Sequence, residues 1–117
     1  LNLSPHALYK TGMNIRATLY ASLINHIPID RVVYEISETH KITDNVKLIE
    51  QLRMYHEFGF STAIDDFGSG YSGLNLLIAY QPNYIKLDRN LIADIHKDNV
   101  RQVVVTGICK IKKKLKI

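Results

Sequence analysis

Apolar and polar positions follow two periods along this chain, and the periods take turns. Residues 1–3, Leu1-Asn2-Leu3, read as the end of a strand. Ser4 and Pro5 then open a helix as N-cap and first helical residue. It runs to about Asn25, with Gly12 as the point where it would break and Leu19, Leu23 and Ile24 on one face. Residues 31–36 are β-branched and aromatic and predict a strand. Thr43 and Asp44 cap a second helix, apolar at Val46, Ile49, Leu52 and Met54 and stopped by Gly59. Residues 61–65 predict a buried strand, 74–79 a short helix, 81–83 a turn and 84–87 another strand. A helical turn over 91–95 precedes a last helix from Asn99 toward Lys114, apolar at Val103, Val104, Ile108 and Ile111. Strands alternating with helices predict crossover units and a parallel sheet, hence an α/β fold.

Chemistry gathers at one kind of place in this pattern. Asn2, Glu35, Asp65, Asp66, Lys86 and Asp88 all fall at or just past the C-terminal end of a predicted strand, with Glu38 close behind Glu35. Open α/β sheets and β/α barrels carry their ligand sites on that edge. Asp65 and Asp66 are adjacent like charges, which repel and are costly to bury unless paired or metal-bound. Oxygen donors without Cys, and with no His at a strand end, favour Mg²⁺, Mn²⁺ or Ca²⁺ over structural zinc. A lysine beside such a cluster suits phosphate-ester chemistry, where it orients water or offsets phosphate charge.

The loop after Asp66 matches G-x-G-x-x-G at Gly68, Gly70 and Gly73, and Asp88 follows 20 residues after Gly68, as in a dinucleotide fingerprint. That motif sets a pyrophosphate on the glycine turn, where Asp65 and Asp66 would oppose it with no cation between. The helix available before Gln81-Pro82 is also very short. Acids beside a phosphate make more sense with a divalent ion between them.

Composition narrows the alternatives. The chain has 117 residues, enough for one small domain, and is 46% hydrophobic and 22% charged, as in globular proteins. No apolar run approaches a membrane span, and no leader precedes Leu1, so a cytoplasmic location is expected. Cys109 stands alone in an apolar helical pattern, which reads as a core thiol in a reducing compartment. The net charge of +4 is local. Lys110, Lys112, Lys113, Lys114 and Lys116 are five of the 15 basic residues, which leaves residues 1–109 with 10 basic against 11 acidic. This ending reads as a solvated helix end rather than a nucleic-acid or membrane patch, because no aromatic residue or motif accompanies it. No DNA or RNA partner is expected. The five histidines, His6, His26, His40, His56 and His96, lack ligand spacing and read as surface or satisfied core. Ser72 has no His placed to activate it. The seven tyrosines are scattered and read as packing.

Asn2-Leu3-Ser4, Tyr34-Glu35-Ile36-Ser37-Glu38, Asp65-Asp66-Phe67-Gly68-Ser69-Gly70-Tyr71-Ser72 and Ile85-Lys86-Leu87-Asp88 occur in this order. With these four motifs the chain resembles the EAL domain, a family of bacterial phosphodiesterases that linearise cyclic di-GMP on a β/α barrel. The resemblance covers the chain to about Cys109, and implies a partial (β/α)8 TIM-type barrel with about half of the strands. It divides the chain into a central part of an EAL-type domain, 1–109, and a lysine-rich terminal segment, 110–117. It implies two Mg²⁺ or Mn²⁺ ions, with Asn2, Glu35 and Asp65 as ligands of the first and Asp65 and Asp66 at the second. Lys86 would stand near the attacking water, Glu38 would brace the glycine loop, and Asp88 would close the lysine motif.

The family's eponymous Glu-Ala-Leu and its later Ala-Glu-Gly-Val-Glu strand are not in this sequence, so two glutamate ligands are missing and the lysine-rich end reads as a truncation or altered frame. Three readings therefore stand: a cyclic di-GMP phosphodiesterase, a degenerate module that binds nucleotide or a protein partner without turnover, and an inert fragment. A partial barrel exposes strand edges and apolar helix faces, so self-association, as a homodimer or otherwise, is expected.

Overall fold

The computed structural model describes residues 1–2, 13–38, 45–70 and 73–117. The predicted caps at Ser4-Pro5 and Thr43-Asp44, the break at Gly12, and Ser72 lie outside the described residues.

The order is α1 (Met13–Ile24), β1 (Val33–Ser37), α2 (Asn45–Glu57), β2 (Ser61–Phe67), α3 (Gly73–Ala79), β3 (Tyr84–Leu87), α4 (Arg89–Ile92) and α5 (Asn99–Leu115). Single 3-10 turns precede β1 and α5, at Ile29–Arg31 and Ile95–Lys97. The strands form one sheet in the order β1-β2-β3, with every pairing parallel. Asn2 adds an isolated parallel bridge to Glu35, so a fourth segment runs along the outer edge of β1.

The core explains the pattern of apolar residues. Tyr34 and Ile36 from β1, Leu48, Leu52 and Tyr55 from α2, and Phe60 and Ile64 around β2 are all buried. Tyr34, Tyr55 and Phe60 interlock, the tyrosine rings 4.2 Å apart and Phe60 edge-on to Tyr34 at 5.1 Å. Such tilted and edge-on pairs add to the stabilisation from burial. Burial pushes the Tyr55 hydroxyl up to about 12. Gly59 ends the turn after α2 at φ 88°, a conformation that glycine takes without steric cost. Asn83 sets the start of β2 against β3. Its Oδ1 accepts the Thr62 N–H at 2.8 Å and its own N–H donates to the Thr62 carbonyl at 3.0 Å.

Some expected core positions lie outside it. Leu23 is 74% exposed and Ile24 56%, and α1 packs inward through Ile15 and Leu19 instead. Val46 is exposed, and the inward side of α2 is carried by Leu48, Leu52 and Tyr55 instead. Cys109 is exposed, not core, because Ile108 is the α5 residue turned toward the body at that level. The second strand continues to Phe67, two residues past its expected end. The last helix passes through position 110 without a break.

Exposed apolar side chains are numerous for so short a chain, including Tyr20, Leu23, Ile78, Val100 and Val103. Faces of this kind mark surfaces that other protein covers. We therefore expect the isolated chain to self-associate, read by light scattering behind a sizing column. A monomer with one cooperative urea transition would count against this.

Candidate active site

The C-terminal ends of β1, β2 and β3 lie side by side, and the ladder brings their polar residues into register. Glu35 pairs with Ala63 and Ser37 with Asp65, while Ile64 pairs with Ile85 and Phe67 with Leu87. Between those last two pairs β2 spends two residues, Asp65 and Asp66, where β3 spends one, Lys86. This is a β-bulge, a device that re-aims side chains beside functional sites. Asp66 absorbs it at φ 54°, in the left-handed region that Asp tolerates better than most residues because its short side chain bonds locally.

Lys86 joins the strand ends. Its Nζ lies 3.0 Å from Glu35 Oε2 and 3.0 Å from Asp65 Oδ1. The Glu35 contact first, then Asp65, hold the ammonium above its ordinary value of 10.5, so it is charged at neutral pH. Ion pairs this open contribute only about 0–1 kcal/mol to stability. Their significance is geometric: carboxylates from adjacent strands stand close enough to share one cation. Ser37 Oγ donates to Asp66 Oδ2 at 3.1 Å, and the Asp66 N–H donates to Asp65 Oδ1 at 3.1 Å. Asn2 stands level with Glu35 through its bridge.

The donors suit a hard divalent ion. Among the described residues no three acidic, His or Cys side chains converge tightly enough to enclose a metal by themselves. The grouping is two carboxylates with one ammonium between them, beside a carboxamide-bearing strand end. The ammonium marks the place where positive charge is favoured, and carboxylate and carboxamide oxygens are the donors that Mg²⁺, Mn²⁺ and Ca²⁺ prefer.

Glu38 does different work. It is 4% exposed, and its two oxygens accept from the two flanks of the glycine loop. The Gly68 N–H donates to Oε2 at 2.6 Å and the Gly73 N–H to Oε1 at 2.8 Å. Its own N–H donates to the Asp65 carbonyl at 3.0 Å, so the brace is tied to the strand bearing the acids. Gly68 sits at φ 96°, with Leu91 where a Cβ would go. Gly68→Ala should cost about 2–4 kcal/mol, from left-handed strain plus overpacking, read as a shifted urea midpoint. An unchanged midpoint would show that the loop relaxes around a methyl. Beneath the loop lies a cleft of about 400 Å³ lined by Glu38, Phe67, Gly68, Leu91, Val104 and Ile108.

Asp88 is turned to the start of α4, where Oδ1 accepts the Asn90 N–H at 2.7 Å as an N-cap. Three expected site residues, Glu35, Asp65 and Lys86, thus meet directly. Asp66 and Asn2 adjoin them, Glu38 supports the loop, and Asp88 caps the helix after Lys86. The sequence reading missed Ser37. Its signal was available: it lies two residues after Glu35, hence on the same face of β1. His26, His56 and His96 are exposed.

The chain matches the EAL domain family model over residues 1–117. It is 31% identical over 110 residues to the blue light- and temperature-regulated antirepressor BluF of Escherichia coli K12, covering 94% of this chain and 27% of that protein. It is 31% identical over 113 residues to the cyclic di-GMP phosphodiesterase PdeA of Borreliella burgdorferi, covering 95% of this chain and 16% of that one. Among solved structures, the cyclic di-GMP-bound standalone EAL protein of Vibrio cholerae O395 superposes with a TM-score of 0.91 at 41% identity, covering 99% of this chain and 49% of that chain. The manganese and cyclic di-GMP complex of Klebsiella pneumoniae BlrP1 at pH 6 gives 0.90 at 35% identity, covering 99% of this chain and 30% of that one. This chain therefore spans about half of the first structure and less of the others. Its sheet and helices form part of a TIM barrel.

Proposed function

The chain belongs to the EAL domain family, and from that premise we propose that it carries the central part of a divalent-metal site for cyclic di-GMP hydrolysis. The observation that carries this reading is the sharing of one cation by Glu35 and Asp65 at adjacent strand ends, each 3.0 Å from Lys86 Nζ. Asn2, Glu35 and Asp65 would hold one ion, and Asp65 with Asp66 a second. Bound Mg²⁺ or Mn²⁺ supplies a water of lowered pKa and offsets charge on the phosphate. The side chains do the rest. Lys86 offers its ammonium to a phosphodiester oxygen or to the attacking water. Ser37 fixes the Asp66 carboxylate. Glu38 keeps the glycine loop folded against the strand ends, and Asp88 fixes the helix after Lys86. The proposed location is the cytoplasm; among the described residues no helix is long and apolar enough to cross a membrane.

A second reading is a module that binds a protein partner without turnover. It is favoured by one relative, matched over 94% of this chain, being named an antirepressor. Calorimetric titration of cyclic di-GMP with Mn²⁺ present, followed by chromatography for the linear dinucleotide, separates the two. Saturable heat with product supports hydrolysis, and saturable heat alone supports a binding module. A folded sample giving neither overturns the metal-site reading.

A further inference from the structure

We propose, resting on the metal-site reading above, that Lys86 is an internal counter-ion, displaced when a divalent cation enters between Glu35 and Asp65. Its Nζ lies 3.0 Å from Glu35 Oε2 and 3.0 Å from Asp65 Oδ1. These two side chains are among the three assigned above to the first ion. Oxygen ligands approach Mg²⁺ or Ca²⁺ to about 2.0–2.6 Å. A divalent cation and an ammonium shared by the same two oxygens therefore claim one place, and entry of the first requires departure of the second.

The strand ends suit such an exchange. Glu35 and Asp65 stand on neighbouring strands, where like charges repel, and Lys86 keeps them gathered. The Lys86 side chain is 47% exposed, against 26% for Glu35 and 27% for Asp65. An ammonium on a flexible four-carbon stem swings out at little cost while β3 holds its Cα. Asp65 is more firmly held, because the Oδ1 that meets Lys86 also accepts the Asp66 N–H at 3.1 Å. The ligand stays and the lysine moves. Once freed, the ammonium remains tethered beside the site, where a phosphodiester oxygen is its next partner. Lys86 thus turns to substrate only in a loaded site, which couples ion uptake to placement of the lysine. The sign of one effect separates this role from a brace between strands. Losing a brace lowers metal affinity or leaves it alone, whereas losing a counter-ion raises it.

The test is calorimetric titration of Mn²⁺ alone into the full chain, so neither nucleotide nor turnover enters the readout. Lys86→Gln should bind Mn²⁺ about tenfold more tightly, since two open ion pairs are no longer given up. Lys86→Arg keeps the charge and grips carboxylates through a planar fork, so it should bind no more tightly than the parent chain. Arg89→Gln removes the same charge from an exposed neighbour outside the pair. Screening by salt should hold its effect under about twofold. Circular dichroism checks that each variant is folded. A parent chain that binds Mn²⁺ as tightly as Lys86→Gln, or more tightly, would overturn the counter-ion role and leave the metal site standing. So would an equal gain from Arg89→Gln, which would mean that net charge alone is at work, or a gain from Lys86→Arg. Folded parent and variants that all fail to bind Mn²⁺ would overturn the metal-site reading and the counter-ion with it.

Discussion

Glu38→Ala should destabilise the chain by about 3–5 kcal/mol and release the glycine loop. Two backbone donors, Gly68 N–H and Gly73 N–H, end on this one carboxylate. Hydrogen bonds to a charged group contribute about 1.5–3 kcal/mol each, and removing the acceptor leaves donors in a buried place without a partner. Domains of this size have only about 5–15 kcal/mol in total, so the loss would take a large share. Glu38→Gln should fall between, because its carboxamide offers one oxygen to two donors. Urea unfolding gives the energy, and amide exchange at Gly68 and Gly73 gives the place. A loss under about 1 kcal/mol with both amides still protected would mean that the loop is held by something else.

Asp65→Asn should lower Mn²⁺ affinity by more than about 100-fold while leaving the fold in place. Groups that merely orient metal ligands are worth about 10–100-fold, and a direct ligand should exceed that. The substitution removes one negative charge from a site where Glu35 and Asp65 both pair with Lys86. It keeps the side-chain shape, and the residue 65 carbonyl still accepts the Glu38 N–H. Calorimetry with Mn²⁺ and cyclic di-GMP reads the affinity, and circular dichroism reads the fold. Affinity within about threefold of the parent chain would remove Asp65 from the metal site and leave the carboxylate pair as a support for Lys86.

Much of this was visible in the sequence, for reasons that particular residues make clear. Strand and helix alternation followed from local periods, and Gly59 and Gln81-Pro82-Asn83 punctuated it. The strand-end acids stood out because a buried strand has no packing reason to end in Asp65-Asp66. The bulge did not show, since it depends on how many residues β3 sets against β2, and no local pattern in β2 carries that count. Thr62 was unremarked for a similar reason: its hydroxyl meets the Tyr80 hydroxyl at 2.6 Å across a crossover. Leu23, Val46 and Cys109 were misplaced because periodicity gives a helix a face and says nothing about what covers it.

The bulge at Asp65-Asp66 has a consequence in the language of insertions and deletions. Ile64 and Phe67 are both buried, yet three residues apart along one strand, a spacing that plain alternation would send to opposite sides. Striking out residue 66 would bring them two apart, restore a one-to-one ladder with β3, and leave an ordinary parallel strand ending in a single acid. The distance between scaffold and site is thus one residue of chain length rather than one substitution. A length change here would be forgiven by the sheet and felt by the chemistry.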